Sequence, residues 1–204
     1  MIRFLVISTF FTLFLSSCAL KTTEGLRPIS HGVKTISNPY FSNQGLDYVY
    51  KARIEVLNKN FGGILIIKKI APKNHRIVMT TEFGNKLLDF QYENNVFITN
   101  YVADELDRNF ILNILKDDFR LLLNDKANVI AEYGSQSDLV YKTRCGKRFN
   151  YYFYGLDSGQ LEKIVNTTRS KEKITVNFET IGNFAERISI LHSKFNLKID
   201  LEKF

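Results

Sequence analysis

The sequence predicts a mostly β (α+β) domain: a strongly curved antiparallel sheet or unclosed β-barrel of about 11 strands, with one inserted helix as a lid or plug. Three observations lead to this fold class. Apolar and polar residues alternate with a period of two through most of the chain, short joints separate the alternating runs, and one long run has helical spacing. Because short joints leave no room for crossover helices, we expect neighbouring strands to be antiparallel.

The N-terminus is predicted to be a lipoprotein signal peptide that spans residues 1–17. Arg3 precedes an apolar run of roughly 12 residues, whereas a membrane-spanning helix needs about 20. The run ends in "LSSC", which resembles the bacterial lipobox, where the peptidase cuts before a cysteine whose thiol has been diacylated. We therefore expect Cys18 to carry a covalent lipid. The alternative is an ordinary signal peptide with an incidental cysteine.

Residues 18–44 are predicted to form the lipidated N-terminus and a flexible linker. Pro28, Pro39 and scattered Ser, Thr and Asn residues leave little periodicity in this segment. The chain has 2 cysteines, so lipidation of Cys18 leaves Cys145 without a disulfide partner. The net charge of +7 indicates either attraction to anionic lipid headgroups or a solvated basic surface.

Residues 45–204 are predicted to form the curved-sheet domain, which begins with a meander of about five strands. In "YVYKARIEV" Ile54 and Val56 share an apolar face, and Lys51, Arg53 and Glu55 lie on the opposite face. The runs "ILIIKKI", "HRIVMTTEF", "KLLDFQY" and "NVFITNYV" follow, with Pro, Gly and Asn in the joints. These joints are typical of antiparallel hairpins.

One helix is predicted over "ADELDRNFILNILKDDFRLLLND", with Asp104 as its N-cap. Its apolar residues cover well over half of the helix circumference, which indicates that the helix is covered on more than one side. Two interpretations remain open. The helix either packs between the sheet and a further neighbour, or lies as a lid or plug in the mouth of the curved sheet.

Strands resume after the helix, from "ANVIAEY" through the aromatic "RFNYYFYG" to "FNLKIDLEKF". A sheet of this size curls, and its concave inner face must be filled by side chains, by the helix or by a ligand. The hydrophobic lining is therefore the candidate site. Its candidate residues, taken from the apolar faces of different elements, are Ile54, Val56, Ile66, Met79, Phe90, Phe97, Phe110, Ile114, Tyr151, Phe153, Val176 and Leu197.

No catalytic or metal-binding motif is recognisable in the sequence, so we do not expect an enzyme, a metal site or a cofactor beyond the lipid on Cys18. His31, His75 and His192 lack ligand spacing and are expected at the surface. Asp117 and Asp118 are adjacent on the helix and point about 100° apart, which is typical of a solvated face rather than of a catalytic pair. Cys145 has basic neighbours but no evident base nearby in the sequence.

The order of these features resembles the LolA/LolB superfamily of lipoprotein-localisation factors. A lipidated cysteine, a linker, antiparallel strands, an embedded helix and further strands follow one another. The stretch "FGGILIIKKIAPKNHRIVMTTEFGNKLLDFQYENNVF" also resembles small LolB-like outer-membrane lipoproteins. The resemblance implies an unclosed barrel with a helical lid and a hydrophobic cavity for acyl chains. The chain departs from the family pattern in having no Trp and only one convincing helix in the insertion.

The expected function is that of a lipid-anchored protein of the outer membrane, facing the periplasm, which binds lipid or acylated lipoprotein cargo without covalent chemistry. Ala19, rather than Asp, follows Cys18, as in lipoproteins that are sent to the outer membrane. The alternative is a structural or assembly lipoprotein that docks to another envelope protein through the aromatic stretch of residues 149–154. Nucleic acid is not an expected partner of an exported chain.

Overall fold

The computed structural model describes residues 20–182 and 184–204. Cys18 and the predicted signal peptide lie outside the described residues, so lipidation stays a prediction.

The first element is a 3₁₀ turn, Lys21–Thr23. The strands are β1 (Arg27–Ile29), β2 (Thr35–Ser37), β3 (Asp47–Val56), β4 (Lys59–Ala71), β5 (Asn74–Thr80), β6 (Lys86–Glu93), β7 (Val96–Val102), β8 (Lys126–Gly134), β9 (Asp138–Cys145), β10 (Arg148–Gly155), β11 (Leu161–Thr167), β12 (Glu172–Ile181), β13 (Phe184–His192) and β14 (Leu197–Lys203), and α1 is Asn109–Leu122.

Among the described residues, 14 strands form one antiparallel sheet that does not close, which confirms the predicted architecture. The sequence predicted about 11 strands after residue 44; the structure has 12 there, and β1 and β2 precede them. Its order is β1-β8-β9-β10-β11-β12-β13-β14-β3-β4-β5-β6-β7, and β2 also pairs with β8. Within the described residues β7 has no second neighbour and forms one edge of the sheet, and β1 lies at the other edge. Helix α1 connects β7 to β8, so the chain crosses from one edge of the sheet toward the other through the helix.

The segment that was predicted to be a flexible linker belongs instead to the folded domain in its described part, residues 20–44. Strand β1 pairs with β8 at Gly134 to Glu132, and β2 pairs with β8 at Asn128 to Lys126. Tyr40 and Phe41 are each only 2% exposed and belong to the main core. Strands of three residues are too short to produce a period, which is why the sequence pattern failed to predict them.

The apolar faces of the strands stack into one continuous core on the inner face of the sheet. Cross-strand register places Ile54 opposite Ile199 and Val56 opposite Leu197, so the alternation predicted for β3 and β14 meets face to face. Such cross-strand apolar pairs are the unit of sheet stabilisation. The period-two pattern therefore identified the buried face of these strands correctly.

A second, smaller cluster lies on the outer face of the sheet. It consists of Val140, Tyr151, Phe153 and Val165, and Leu20 and Leu26 pack against it. The N-terminal segment thus crosses the outer face, where Thr22 Oγ1 donates a hydrogen bond to Glu172 Oε1 at 2.7 Å. Strand β10 is consequently buried on both faces, as its run of aromatic residues requires.

Helix α1 begins later than predicted, at Asn109, with Arg108 at the N-cap position. Asp104 is not the N-cap, because residues 103–108 form a separate turn in which the Leu106 and Asp107 amides donate to Ala103 O. Burial of Leu106, which is 0% exposed, holds this turn against the core. At the other end, Asn38 Nδ2 donates to Leu122 O at 2.8 Å and satisfies a terminal carbonyl of the helix.

Candidate functional site

The candidate site is the interface between α1 and the inner face of the sheet. The helix presents an apolar side to the main core, where Ile111, Leu115, Phe119 and Leu122 are 0–2% exposed. Phe119 meets Phe90 of β6 edge-on, with ring centroids 6.4 Å apart. The helix therefore fills the concave face as a plug, so space for a ligand under it requires the helix to move.

Eight of the candidate lining residues contribute to this interior. Six are 0–3% exposed in the main core, namely Ile54, Val56, Met79, Phe90, Val176 and Leu197. Phe97 and Ile114 are partly buried and pack against that core. The structure brings these eight side chains into one cluster.

The other four candidate residues lie elsewhere. Ile66 is 36% exposed on the outer face of β4. The run "ILII" is apolar in both alternating positions, so the sequence does not indicate which side of this strand faces the core. Tyr151 and Phe153 belong to the outer cluster under the N-terminal segment. Phe110 is 43% exposed in the first turn of α1 and contacts Phe195 edge-on at 5.1 Å. These four side chains do not line the inner face.

A buried polar pair fastens α1 to the end of β13. His192 Nε2 lies 2.8 Å from Asp118 Oδ1 and 3.0 Å from Oδ2. The Asp118 side chain is 0% exposed and that of His192 is 6% exposed, so the expectation of a solvated Asp118 and a surface His192 was wrong. Burial raises the pKa of Asp118 to about 6, and the contact with His192 opposes this rise. The sequence held no signal for a pairing between residues so far apart.

His75 is also buried rather than at the surface, with 0% exposure at the start of β5. Its Nε2 lies 3.0 Å from Phe41 O and 3.9 Å from Asp125 Oδ1. Burial lowers the pKa of His75, with the backbone contact to Phe41 acting in the opposite direction. The ring thus ties the N-terminal segment to the inner face.

Two pockets open beside the C-terminal half of α1. The first measures about 730 Å³ and is lined by the loop of residues 42–44, by Lys69 and Tyr92, and by residues 123–126. The second measures about 650 Å³ and lies between α1 and the strands β8 to β12. Both include Tyr92, Asn95, Asn124 and Lys126, so the two pockets are continuous along one side of the helix. No sequence pattern indicates these polar openings, because their residues come from α1, from loops and from several strands.

Within residues 20–182 and 184–204, no group of three or more His, Cys, Asp and Glu side chains could hold a metal ion. Asp117 pairs with Arg120 at 2.6 Å while Asp118 points into the core, so the two carboxylates diverge as predicted. Among the described helices none is long and apolar enough to cross a membrane.

Comparison with known proteins identifies solved structures with a similar fold. No protein-family model and no curated protein matches the chain. Among solved structures, a LolA superfamily protein from Nitrosomonas europaea is similar with a TM-score of 0.51 and 8% identity, over 81% of this chain and 86% of that one. This similarity shows the fold alone, and the fold is LolA/LolB-like, as the sequence resemblance implied.

Two further solved structures are similar at lower TM-scores. A DUF1329 family protein from Desulfovibrio piger has a TM-score of 0.46 and 8% identity, over 80% of this chain and 85% of that one. A candidate outer membrane lipoprotein-sorting protein domain from Vibrio parahaemolyticus has a TM-score of 0.47 and 5% identity, over the same shares of the two chains. At these scores neither structure adds to the functional argument.

Proposed function

We propose that the protein is a non-enzymatic carrier that holds a lipid, or the acyl chains of a lipoprotein, between α1 and the inner face of the sheet. The observation that carries this proposal is that, in the described part of the chain, one α-helix covers the concave face of an open sheet. The apolar side of this helix closes the concave face, and the helix joins the edge strand β7 to β8. A helix held at two loop connections can withdraw without unpairing a strand.

Transfer by such a site needs no covalent chemistry. Burial of an acyl chain contributes about 0.8 kcal/mol per CH₂ group, so cargo moves according to the difference in burial between donor and acceptor. In the closed arrangement the side chains of α1 occupy the space that acyl chains would take. We infer that cargo displaces α1 and that the Asp118–His192 contact breaks when it does.

The proposed location is the periplasmic face of the outer membrane, with Cys18 as the lipid anchor. Membrane anchoring by one lipidated residue suits a carrier because it keeps the acceptor bilayer within reach of the folded domain. The segment from residue 20 onward packs on the sheet, so only the residues directly after Cys18 separate the domain from the anchor. We therefore place the domain close to the bilayer surface.

Native mass spectrometry tests the carrier proposal on the full chain, released from nonionic detergent after incubation with phospholipid or with an acylated peptide. We expect a one-to-one adduct. The Ile114→Asp variant, which puts a charge beside the main core, should lose it, and Ile130→Asp, at a side chain that is 52% exposed on β8, should keep it. Circular dichroism of both variants checks that they remain folded.

A protein that stays bare with every acylated probe would contradict the carrier proposal. The packed interior, with eleven core side chains at 0% exposure among the inner-face strands and helix, favours the second candidate in that case. That candidate is a non-catalytic structural or assembly lipoprotein which docks to another envelope protein. Crosslinking in intact cells, followed by identification of the partner, would then be the experiment of choice.

A further inference from the structure

The pocket of about 650 Å³ beside α1 has a basic rim. We call it the basic pocket. Its rim carries five cationic side chains, Arg120, Lys126, Arg144, Lys147 and Arg148, against one carboxylate, that of Asp117, which leaves a surplus of four positive charges. The volume lies within the range of small-molecule sites, which is about 300–1,000 Å³.

Three of the rim cations lack an anionic partner. Asp117 pairs with Arg120 at 2.6 Å and with Arg148 at 3.3 Å. Within residues 20–182 and 184–204, Lys126, Arg144 and Lys147 form no salt bridge. Cations that converge on a concave surface repel one another and attract an anionic ligand.

The floor of the basic pocket is polar and buried. Asn150 and Asn166 are 3% and 5% exposed, and Asn166 Nδ2 donates to Asn150 Oδ1 at 2.6 Å. The remaining amide oxygen, Asn166 Oδ1, is buried and has no hydrogen-bond partner among the described residues. Because buried acceptors are paired in nearly all native structures, this oxygen calls for a donor from outside the chain.

We propose that the basic pocket binds an anionic ligand which carries a hydroxyl donor beside its negative charge, as a phosphoglycerol group does. The phosphate lies against Arg144 and Lys147 at the rim, and the hydroxyl donates to Asn166 Oδ1 on the floor. Charge-assisted contacts of this kind are the stronger hydrogen bonds in proteins. The neighbouring pocket of about 730 Å³, which shares four lining residues, leaves room for the rest of a larger ligand. The proposal does not require the carrier function.

The alkylation rate of Cys145 can report the binding of a ligand in the basic pocket. Its thiol is free and exposed, and it lines the basic pocket. The full chain in nonionic detergent is titrated with sn-glycerol 3-phosphate, sulfate and glycerol, while the alkylation rate at Cys145 is followed by peptide mass spectrometry. Calorimetry supplies the affinity. We expect glycerol phosphate to slow alkylation and to bind one to one, and glycerol to do neither.

Matched variants localise the effect. The double variant Arg144→Gln/Lys147→Gln should weaken glycerol phosphate binding by about tenfold or more, because each lost charge-assisted contact removes a strong hydrogen bond. The control Lys59→Gln/Lys171→Gln, at exposed lysines outside the basic pocket, should leave binding unchanged. Asn166→Ala should abolish the preference for glycerol phosphate over sulfate, which has no hydroxyl donor.

Micelles doped with phosphatidylglycerol distinguish a lipid headgroup from a free anion. Protection of Cys145 by the doped micelles at headgroup concentrations where glycerol phosphate has no effect identifies a lipid ligand. Equal protection per phosphoglycerol identifies a soluble one, and both outcomes support the basic pocket. The proposal is overturned if no anion slows alkylation, or if the Arg144→Gln/Lys147→Gln variant is protected as well as the control.

Discussion

Asp118 of α1 and His192 at the end of β13 form a buried contact across 74 positions of sequence, with Nε2 and Oδ1 2.8 Å apart. The contact joins the helix to the part of the sheet that it covers. Removal of one partner leaves the other buried group without compensation, which is the most costly way to break such a pair. The closed position of α1 therefore depends on both side chains.

His192→Ala is expected to lower the free energy of unfolding by about 3–5 kcal/mol, because it leaves the Asp118 carboxylate buried and unpaired. Urea unfolding at neutral pH measures this loss. The double variant Asp118→Leu/His192→Leu should lie closer to the native chain, since apolar replacement of both partners removes the desolvation cost. A loss below about 1 kcal/mol in His192→Ala would show that the pair does not hold the helix.

Stability should depend on pH through Asp118. Its pKa in the folded protein is raised to about 6, whereas an unfolded Asp titrates near 3.9. Between these two pH values the folded state retains a proton that the unfolded state has lost, so this group lowers stability as pH rises from about 4 to about 6. Thermal melts of the native chain and of Asp118→Asn across this window test the sign. A constant difference between the two melting temperatures would contradict it.

Asp89, on the outer face of β6, should have the opposite effect on the pH dependence of stability. It is 2% exposed and accepts hydrogen bonds from Arg76 Nε at 2.6 Å and from Lys86 Nζ at 3.1 Å. The Arg76 bond, the largest cause, lowers the pKa of Asp89 to about 2. Its stabilisation is therefore present above about pH 4 and disappears as pH falls through about 2.

The Asp89→Asn variant should lose about 1–3 kcal/mol at pH 7, the usual contribution of hydrogen bonds to a charged group. The loss should vanish near pH 2, as measured by urea unfolding at both pH values. Asp47→Asn is the control, because the Asp47–Lys68 pair is about half exposed and such pairs contribute about 0–1 kcal/mol. Equal losses in the two variants would contradict the prediction.

Tyr40 should be required for stability although it lies in the segment that was predicted to be a linker. It is 2% exposed, its ring packs 4.9 Å from that of Phe178, and its hydroxyl donates to Leu161 O at 2.5 Å. Tyr40→Ala should cost about 3–5 kcal/mol through the cavity it leaves, and Tyr40→Phe about 1 kcal/mol. Lys34→Ala, at an exposed position nearby, should change stability by less than about 0.5 kcal/mol. Chemical unfolding of the three variants provides the ranking.

Two adjacent glycines in β4 should respond differently to alanine. A Cβ at Gly63 would collide with the backbone carbonyl of Thr80 in β5, whereas a Cβ at Gly62 would meet open space. Gly63→Ala should therefore destabilise by more than about 2 kcal/mol, because backbone must shift to admit the methyl group. Gly62→Ala should be neutral or stabilise by up to about 1 kcal/mol. Similar melting temperatures for the two variants would show that β5 can move away from Gly63 at little cost in stability.

Alternation predicted which face of a strand is buried only where one face alone is apolar. It selected the inner faces of β3 and β14 correctly, since Ile54, Val56 and Leu197 lie in the main core. It failed in "ILII" of β4 and in "YYFY" of β10, where both faces are apolar and the choice of face depends on what covers the strand. The outer cluster exists because the N-terminal segment lies over it, and that docking is a long-range contact.

The sequence by itself determined the fold class, the antiparallel meanders and the presence of a helix between the two sets of strands. These features depend on periodicity and on the length of the joints between neighbours along the chain. Only the tertiary structure decided that residues 20–44 pack on the sheet, that α1 starts at Asn109, and that Asp118 meets His192. It also placed the cations of the basic pocket around a buried amide. Contacts between distant segments form only when the sheet curves around the helix, and no local pattern of residues encodes them.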